Sequence, residues 1–221
     1  MTTRLRIALS GSDAVSALLD TPEAPHACYV FGHGAGAGME HPFMSGVALG
    51  LAKRGIATLR YQFPYMERGT RRPDVPKVAH ATVRAAVAEA ARQCPKLPLI
   101  AGGKSFGGRM TSQAQAAEPL PGVVGLAFLG FPLHAPGKPS DDRAAHLDAV
   151  NVPMLFLQGT RDDLAQLDLL RPVVERLGKR ATLETFEEAD HSFHVPARTG
   201  RKDAEVMADL LDRLVRWIPS A

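Results

Sequence analysis

Short apolar runs alternate along the chain with longer stretches in which apolar residues recur every three or four positions. The first pattern reads as buried strands and the second as helices packed by one face. Residues 5–9 and 14–19 flank Ser10-Gly11-Ser12-Asp13 and predict an N-terminal hairpin. Residues 26–31 predict a buried strand, and the glycine-rich stretch 32–38 predicts an irregular loop. A helix over 43–54 stops at Gly55, and a strand follows over 56–61. A proline-bearing loop over 62–76 leads into an alanine-rich helix over 77–93. A strand that begins at Leu99 and ends in Gly103-Lys104-Ser105-Phe106-Gly107, helix 110–118 and strand 123–129 come next, then a proline-bearing segment over 131–150 with a short polar, helical piece. The remainder reads as strand 154–158, helix 164–177 interrupted at Pro172, strand 181–187 and an amphipathic helix over 202–217. A hairpin followed by alternating strands and helices predicts an α/β fold, with a mostly parallel sheet covered on both faces. Right-handed crossovers would then gather every strand-to-helix loop at one sheet edge.

The chain has 221 residues, 45% apolar and 22% charged, which predicts one globular domain over residues 1–221. The net charge of +3 is spread along the sequence and gives no case for a nucleic-acid partner. Arg68, Arg71 and Arg72, the one basic cluster, read as a solvated loop. Cys28 and Cys94 lie in or beside apolar segments, which predicts buried free thiols and a reducing compartment. The N-terminus lacks a signal-peptide core, and the longest apolar stretch, 122–133, is too short to span a bilayer. A cytoplasmic protein without a membrane partner is the expectation.

Chemistry enters at Gly103-Lys104-Ser105-Phe106-Gly107, a G-x-S-x-G pattern between a predicted strand and helix. That context is what a nucleophile elbow requires: the central side chain stands free while small flanking residues let strand and helix approach. The pattern also fits a glycine-rich turn with a capping serine, so partners have to decide. A serine nucleophile needs a base, and the base an orienting acid. Two later strand ends supply them. Gly159-Thr160-Arg161-Asp162-Asp163 offers Asp162, preferred to Asp163 by its place after the strand, although either could cap the next helix. Asp190-His191-Ser192-Phe193-His194 offers His191, preferred to His194 because it lies just past the last strand, with Asp190 read as loop-shaping. Two backbone N–H donors would complete an oxyanion hole. Phe106 supplies one and Ala35, with Gly34 as the alternative, supplies the other. His33 reads as a loop-shaping hydrogen bonder. Lys104 and Arg109 flank the elbow, and the pattern leaves open whether they face it.

With Ser105, Asp162 and His191 in that order, the chain resembles the α/β-hydrolase superfamily over nearly its whole length. More narrowly, residues 33–39, 41–43, 103–105, 131–134 and 158–162 make it similar to the small lidless dienelactone-hydrolase-like branch. Within that branch it resembles a subgroup related to a chromatin-complex subunit and a testis-expressed protein. The resemblance implies an eight-stranded sheet whose second strand runs antiparallel, with no cap domain, no metal and no organic cofactor. It implies a serine hydrolase acting on a small-molecule acyl ester or lactone. A thioesterase or peptidase on the same triad, or a non-catalytic interaction module, are the alternatives. Dienelactone hydrolases carry a cysteine nucleophile where this chain has Ser105. Met39, Phe43, Tyr61, Phe63, Tyr65, Phe131, His134 and Phe193 lie near the expected edge and are the candidate pocket walls.

Overall fold

Eight strands form a single sheet in the order β1-β2-β4-β3-β5-β6-β7-β8. They are β1 (Thr2–Ala8), β2 (Ala14–Asp20), β3 (Ala27–Gly32), β4 (Ile56–Tyr61), β5 (Leu99–Lys104), β6 (Val123–Leu129), β7 (Met154–Gly159) and β8 (Ala181–Phe186). The computed structural model describes residues 1–9 and 13–218, so the expected turn at 10–12 lies outside the described residues. β2 pairs antiparallel with β1 and with β4; from β4 to β8 every pairing is parallel. This is the eight-stranded sheet with an antiparallel second strand that the resemblance implied.

Side-chain alternation in the central strands sorts the core into two layers. Tyr29, Phe31, Ile100, Leu129 and Leu155 pack with Val47, Leu51, Leu210 and Leu214 of α1 (Pro42–Ala52) and α6 (Asp203–Trp217). Cys28, Val30, Ala101 and Phe128 pack with Val83, Val87, Met110, Ala114 and Val173 on the other face. These helical residues belong to α3 (Pro76–Gln93), α4 (Phe106–Ala117) and α5 (Leu167–Leu177). Burial on both faces is why these strands read as continuous apolar runs.

Three local readings are corrected. α4 begins at Phe106, not at residue 110, because Ser105 itself is the cap and the helix starts immediately after the turn. The loop over 62–76 contains the short helix α2 (Pro64–Glu67), which Pro64 opens with a dihedral already suited to a first helical position. α5 runs unbroken through Pro172, whose missing N–H forfeits the helical bond to the Asp168 carbonyl. Cys28 and Cys94 are buried free thiols, as expected, and although far apart in sequence they are neighbours in the fold. Between β6 and β7 there is only a loop with a 3₁₀ turn (Asp142–Ala149), so nothing of cap-domain size covers the carboxyl edge of the sheet.

Candidate active site

β5 delivers Ser105 to that edge. The serine holds φ 50° and ψ −113°, a conformation that L-residues rarely adopt and that survives only where the surroundings enforce it. The enforcement comes from close backbone approach. A Cβ at Gly107 would lie 2.3 Å from the Gly32 carbonyl oxygen, and one at Gly103 would lie 2.4 Å from the same atom. Only glycine on both sides lets β3, β5 and the start of α4 come together here.

Asp162 follows β7 and His191 follows β8. His191 Nδ1–H donates to Asp162 Oδ2 at 2.7 Å, and the carboxylate is completely buried while the imidazole is 24% exposed. Two more donors fix the carboxylate: Leu164 N–H at 2.8 Å on Oδ1, and Gln158 Nε2–H on Oδ2. Asp162 does not cap the next helix, which begins at Leu167 after Gln166; its Oδ1 holds the turn at Leu164 while Oδ2 takes the histidine. Ser105 Oγ makes no hydrogen bond to a described residue, and His191 Nε2, the nitrogen that Asp162 leaves free, is likewise unengaged. Both residues line one cleft of about 370 Å³. Such a link commonly closes only when substrate is present.

Backbone donors are also in place. In the glycine loop Gly36 N–H is occupied by Tyr65 Oη at 3.1 Å and Ala37 N–H by the Gly34 carbonyl at 3.2 Å. Ala35 and Phe106 N–H have no acceptor among the described residues, and neither has Gly34. His33 holds the loop as expected: Nδ1–H donates to the Gly34 carbonyl at 2.8 Å and Nε2 accepts Phe63 N–H at 3.1 Å. Burial lowers its pKa to about 4, so it is neutral.

The rejected alternatives lie elsewhere. Asp163 lines a groove on the outer surface with Arg161 and Glu188. His194 is exposed and pairs with Asp203 at 2.8 Å. Asp190 accepts the N–H groups of Ser192 and His194, which shapes the loop, and Glu188 and Phe193 complete it with positive φ on either side of His191.

Of the candidate walls, Phe43 alone lines the cleft. Met39, Tyr61, Phe63, Tyr65, Phe131, His134 and Phe193 are buried and line neither cleft at Ser105. Tyr61, Phe63, Tyr65 and Phe106 stack edge and face beneath His33, so they support the loop rather than face a ligand. Phe131 packs on Phe128 and Phe156 in the core, and Phe193 stands behind Phe43 at 6.1 Å. Met39 is held through its carbonyl by Arg60, and His134 through Nδ1 by the Ala135 carbonyl. The cleft walls that sequence reasoning missed are Ala37, His41, Met44, Leu164 and Ser192. Lys104, left open by the pattern, lines the cleft too. Its Nζ donates to the His191 carbonyl at 2.6 Å and lies 5.8 Å from the ring centres of Phe43 and Phe193. Burial lowers its pKa to about 8, against the nearby charges of Asp162 and Asp190.

Residues 25–219 match the family described as the alpha/beta hydrolase domain, and the chain belongs to that family. Solved structures carry the same fold. A serine hydrolase without a lid from Xanthomonas campestris superposes with a TM-score of 0.77 at 20% identity, covering 100% of this chain and 96% of that one. A dienelactone hydrolase from Anabaena variabilis gives 0.78 at 19% identity, with 98% and 96% covered. The Est1E protein of Butyrivibrio proteoclasticus with bound ferulic acid gives 0.71 at 17% identity, with 95% and 99% covered. Among the described residues no helix is long and apolar enough to cross a membrane.

Proposed function

We propose that the protein is a serine hydrolase that cleaves a small carboxylic ester or lactone through an acyl-enzyme. Ser105 is the nucleophile, His191 the base and Asp162 the orienting acid. The observation that carries this reading is the buried Asp162–His191 pair beside a serine held at φ 50° in the same cleft.

His191 Nε2 takes the Ser105 proton as Oγ forms a bond to the ester carbonyl carbon. Ala35 and Phe106 N–H hold the oxyanion, each worth roughly 3 kcal/mol in the transition state. The tetrahedral species expels the alcohol oxygen, which leaves with the proton from His191. Water then gives a proton to His191, attacks the acyl carbon and releases the acid, returning the proton to Ser105 Oγ. Asp162 keeps Nδ1 protonated throughout, so Nε2 always faces the reaction.

The likeness to the subgroup related to a chromatin-complex subunit and a testis-expressed protein belongs to this reading, as does a cytoplasmic location, which two buried free thiols suit. The test is turnover of short acyl esters, lactones, acyl-thioesters and peptides by the wild-type protein and by Ser105→Ala. Ester turnover that disappears in the variant, with the circular dichroism spectrum retained, is the expected result. Turnover unchanged by Ser105→Ala contradicts the reading.

A further inference from the structure

Ser105 stands on a ridge between two clefts. The first is the one it shares with His191. The second, about 330 Å³, lies on the α4 side of the serine and contains Phe106, Met110, Arg109 and Arg143 but not His191. Arg109 is four residues beyond Ser105, one turn into α4. Its guanidinium makes no hydrogen bond or ion pair to any described residue, and its Nε is buried without a partner. Apart from Arg143, the other half-buried arginines are occupied: Arg54 by Asp212, Arg84 by the carbonyls of Ala114 and Glu118, Arg180 by the carbonyls of Asp148 and Val150, and Arg213 by Asp209 and Glu184. Arg143 spends one donor on the His134 carbonyl, at 2.9 Å, and has no ion pair among the described residues.

Nothing in the cleft neutralises this pair. Burial and the like charge of Arg143 both work against the Arg109 cation. The acidic residue of the lining, Asp74, already accepts Tyr65 N–H at 2.8 Å and pairs with Arg68. His146 donates no negative charge; burial and the Arg109 charge lower its pKa to about 4 and leave it neutral against Ser112 Oγ. Two guanidiniums with unspent donors in a concave site form a receptor for a planar anion.

We propose that the second cleft is a carboxylate subsite formed by Arg109 and Arg143, and that the substrates of Ser105 carry a carboxylate in their acyl portion. The assignment to the acyl portion rests on the serine-hydrolase reading above. His191 must hand its proton to the departing oxygen, so the leaving group occupies the cleft that His191 lines, and the acyl group takes the other. One helical turn, roughly 6 Å, separates Ser105 from Arg109 along α4. Ser105, Arg109 and Arg143 line this one cleft, so a glutaryl ester, with its free carboxylate a few methylenes from the ester carbon, is a suitable probe.

Two measurements test the subsite separately from the chemistry. Glutarate is titrated calorimetrically into the wild-type protein and into Arg109→Gln, Arg143→Gln and Arg92→Gln, the last a surface charge control. Initial rates are then taken on ethyl hydrogen glutarate and on its neutral counterpart, ethyl pentanoate. Glutarate binding weakened tenfold or more by Arg109→Gln or Arg143→Gln, but not by Arg92→Gln, is expected. A kcat/KM at least tenfold higher for the charged ester is expected too, with that ratio collapsing in the same two variants. Arg143 lies outside α4, so its variant stands if Arg109→Gln fails to fold. Glutarate that does not bind, or binds equally to all four proteins, overturns the subsite even where both esters are hydrolysed. Arginine-dependent glutarate binding with neither ester turned over upholds the subsite and overturns the serine-hydrolase reading instead.

Discussion

Gln158 donates its side-chain N–H to Asp162 Oδ2, the same oxygen that accepts His191 Nδ1–H. Its own Oε1 accepts Phe131 N–H at 3.0 Å, which fixes which way the amide points. A fully buried glutamine at the end of β7 therefore sets the position of the carboxylate that sets the imidazole. Gln158→Leu removes that donor and leaves Phe131 N–H without an acceptor. The expected cost is about 2 kcal/mol in stability and roughly tenfold in kcat, with KM little changed. Urea denaturation and steady-state ester kinetics measure the two. A variant that raises KM at full kcat would place Gln158 at substrate rather than behind Asp162.

His33 makes stability depend on pH. In the unfolded chain its imidazole protonates near the ordinary histidine value of 6.5, while the folded protein holds it neutral down to about 4. Between those values the unfolded state binds the extra proton, so stability is lost as pH falls from 6.5 toward 4. The contribution is ~3 kcal/mol over the full window. His146, lowered to about 4 as well, acts in the same direction. His33→Gln, which can still donate to Gly34 and accept from Phe63, is expected to flatten the fall in melting temperature between pH 6.5 and 4. An unaltered pH profile in that variant would mean that His33 is protonated in the fold.

Two glycines separate close approach from mere helix placement. Gly107→Ala drives a Cβ to within 2.3 Å of the Gly32 carbonyl, where only backbone can yield. A loss of about 2–3 kcal/mol is expected, together with loss of activity as the elbow shifts. Gly46 lies inside α1 with nothing within 4 Å of its Cβ position. Gly46→Ala is expected to gain about 0.5–1 kcal/mol from the helix preference of alanine. Equal melting temperatures for the two variants would contradict the packing described at the elbow.

The sheet and the candidate triad were legible because the residues that build them carry local signals. Gly103 and Gly107 mark a turn that other residues cannot make, Asp162 follows a continuous apolar strand, and His191 follows one read from its alternation. The pocket walls carried no such signal. An aromatic residue near a strand end has two faces to choose from, and Tyr61, Phe63 and Tyr65 chose the space beneath His33 because that loop needs support. Leu164 lines both clefts at Ser105 and its N–H donates to Asp162, a tertiary contact that no local pattern announces. Gln158 was invisible for the same reason: a polar residue closing an apolar strand announces burial, not its partner. Lys104 and Arg109 showed their positions beside the elbow but not their directions, which α4 and the His191 loop decide.

The most direct measurement is covalent labelling with a fluorophosphonate, with the modified peptide located by mass spectrometry. Label on Ser105, lost in His191→Ala and strongly reduced in Asp162→Asn, is the expected result, because only a serine with an oriented base attacks phosphorus at neutral pH. A folded wild-type protein that takes no label, or labelling of Ser105 that persists at full rate in His191→Ala, would contradict an activated serine at this site.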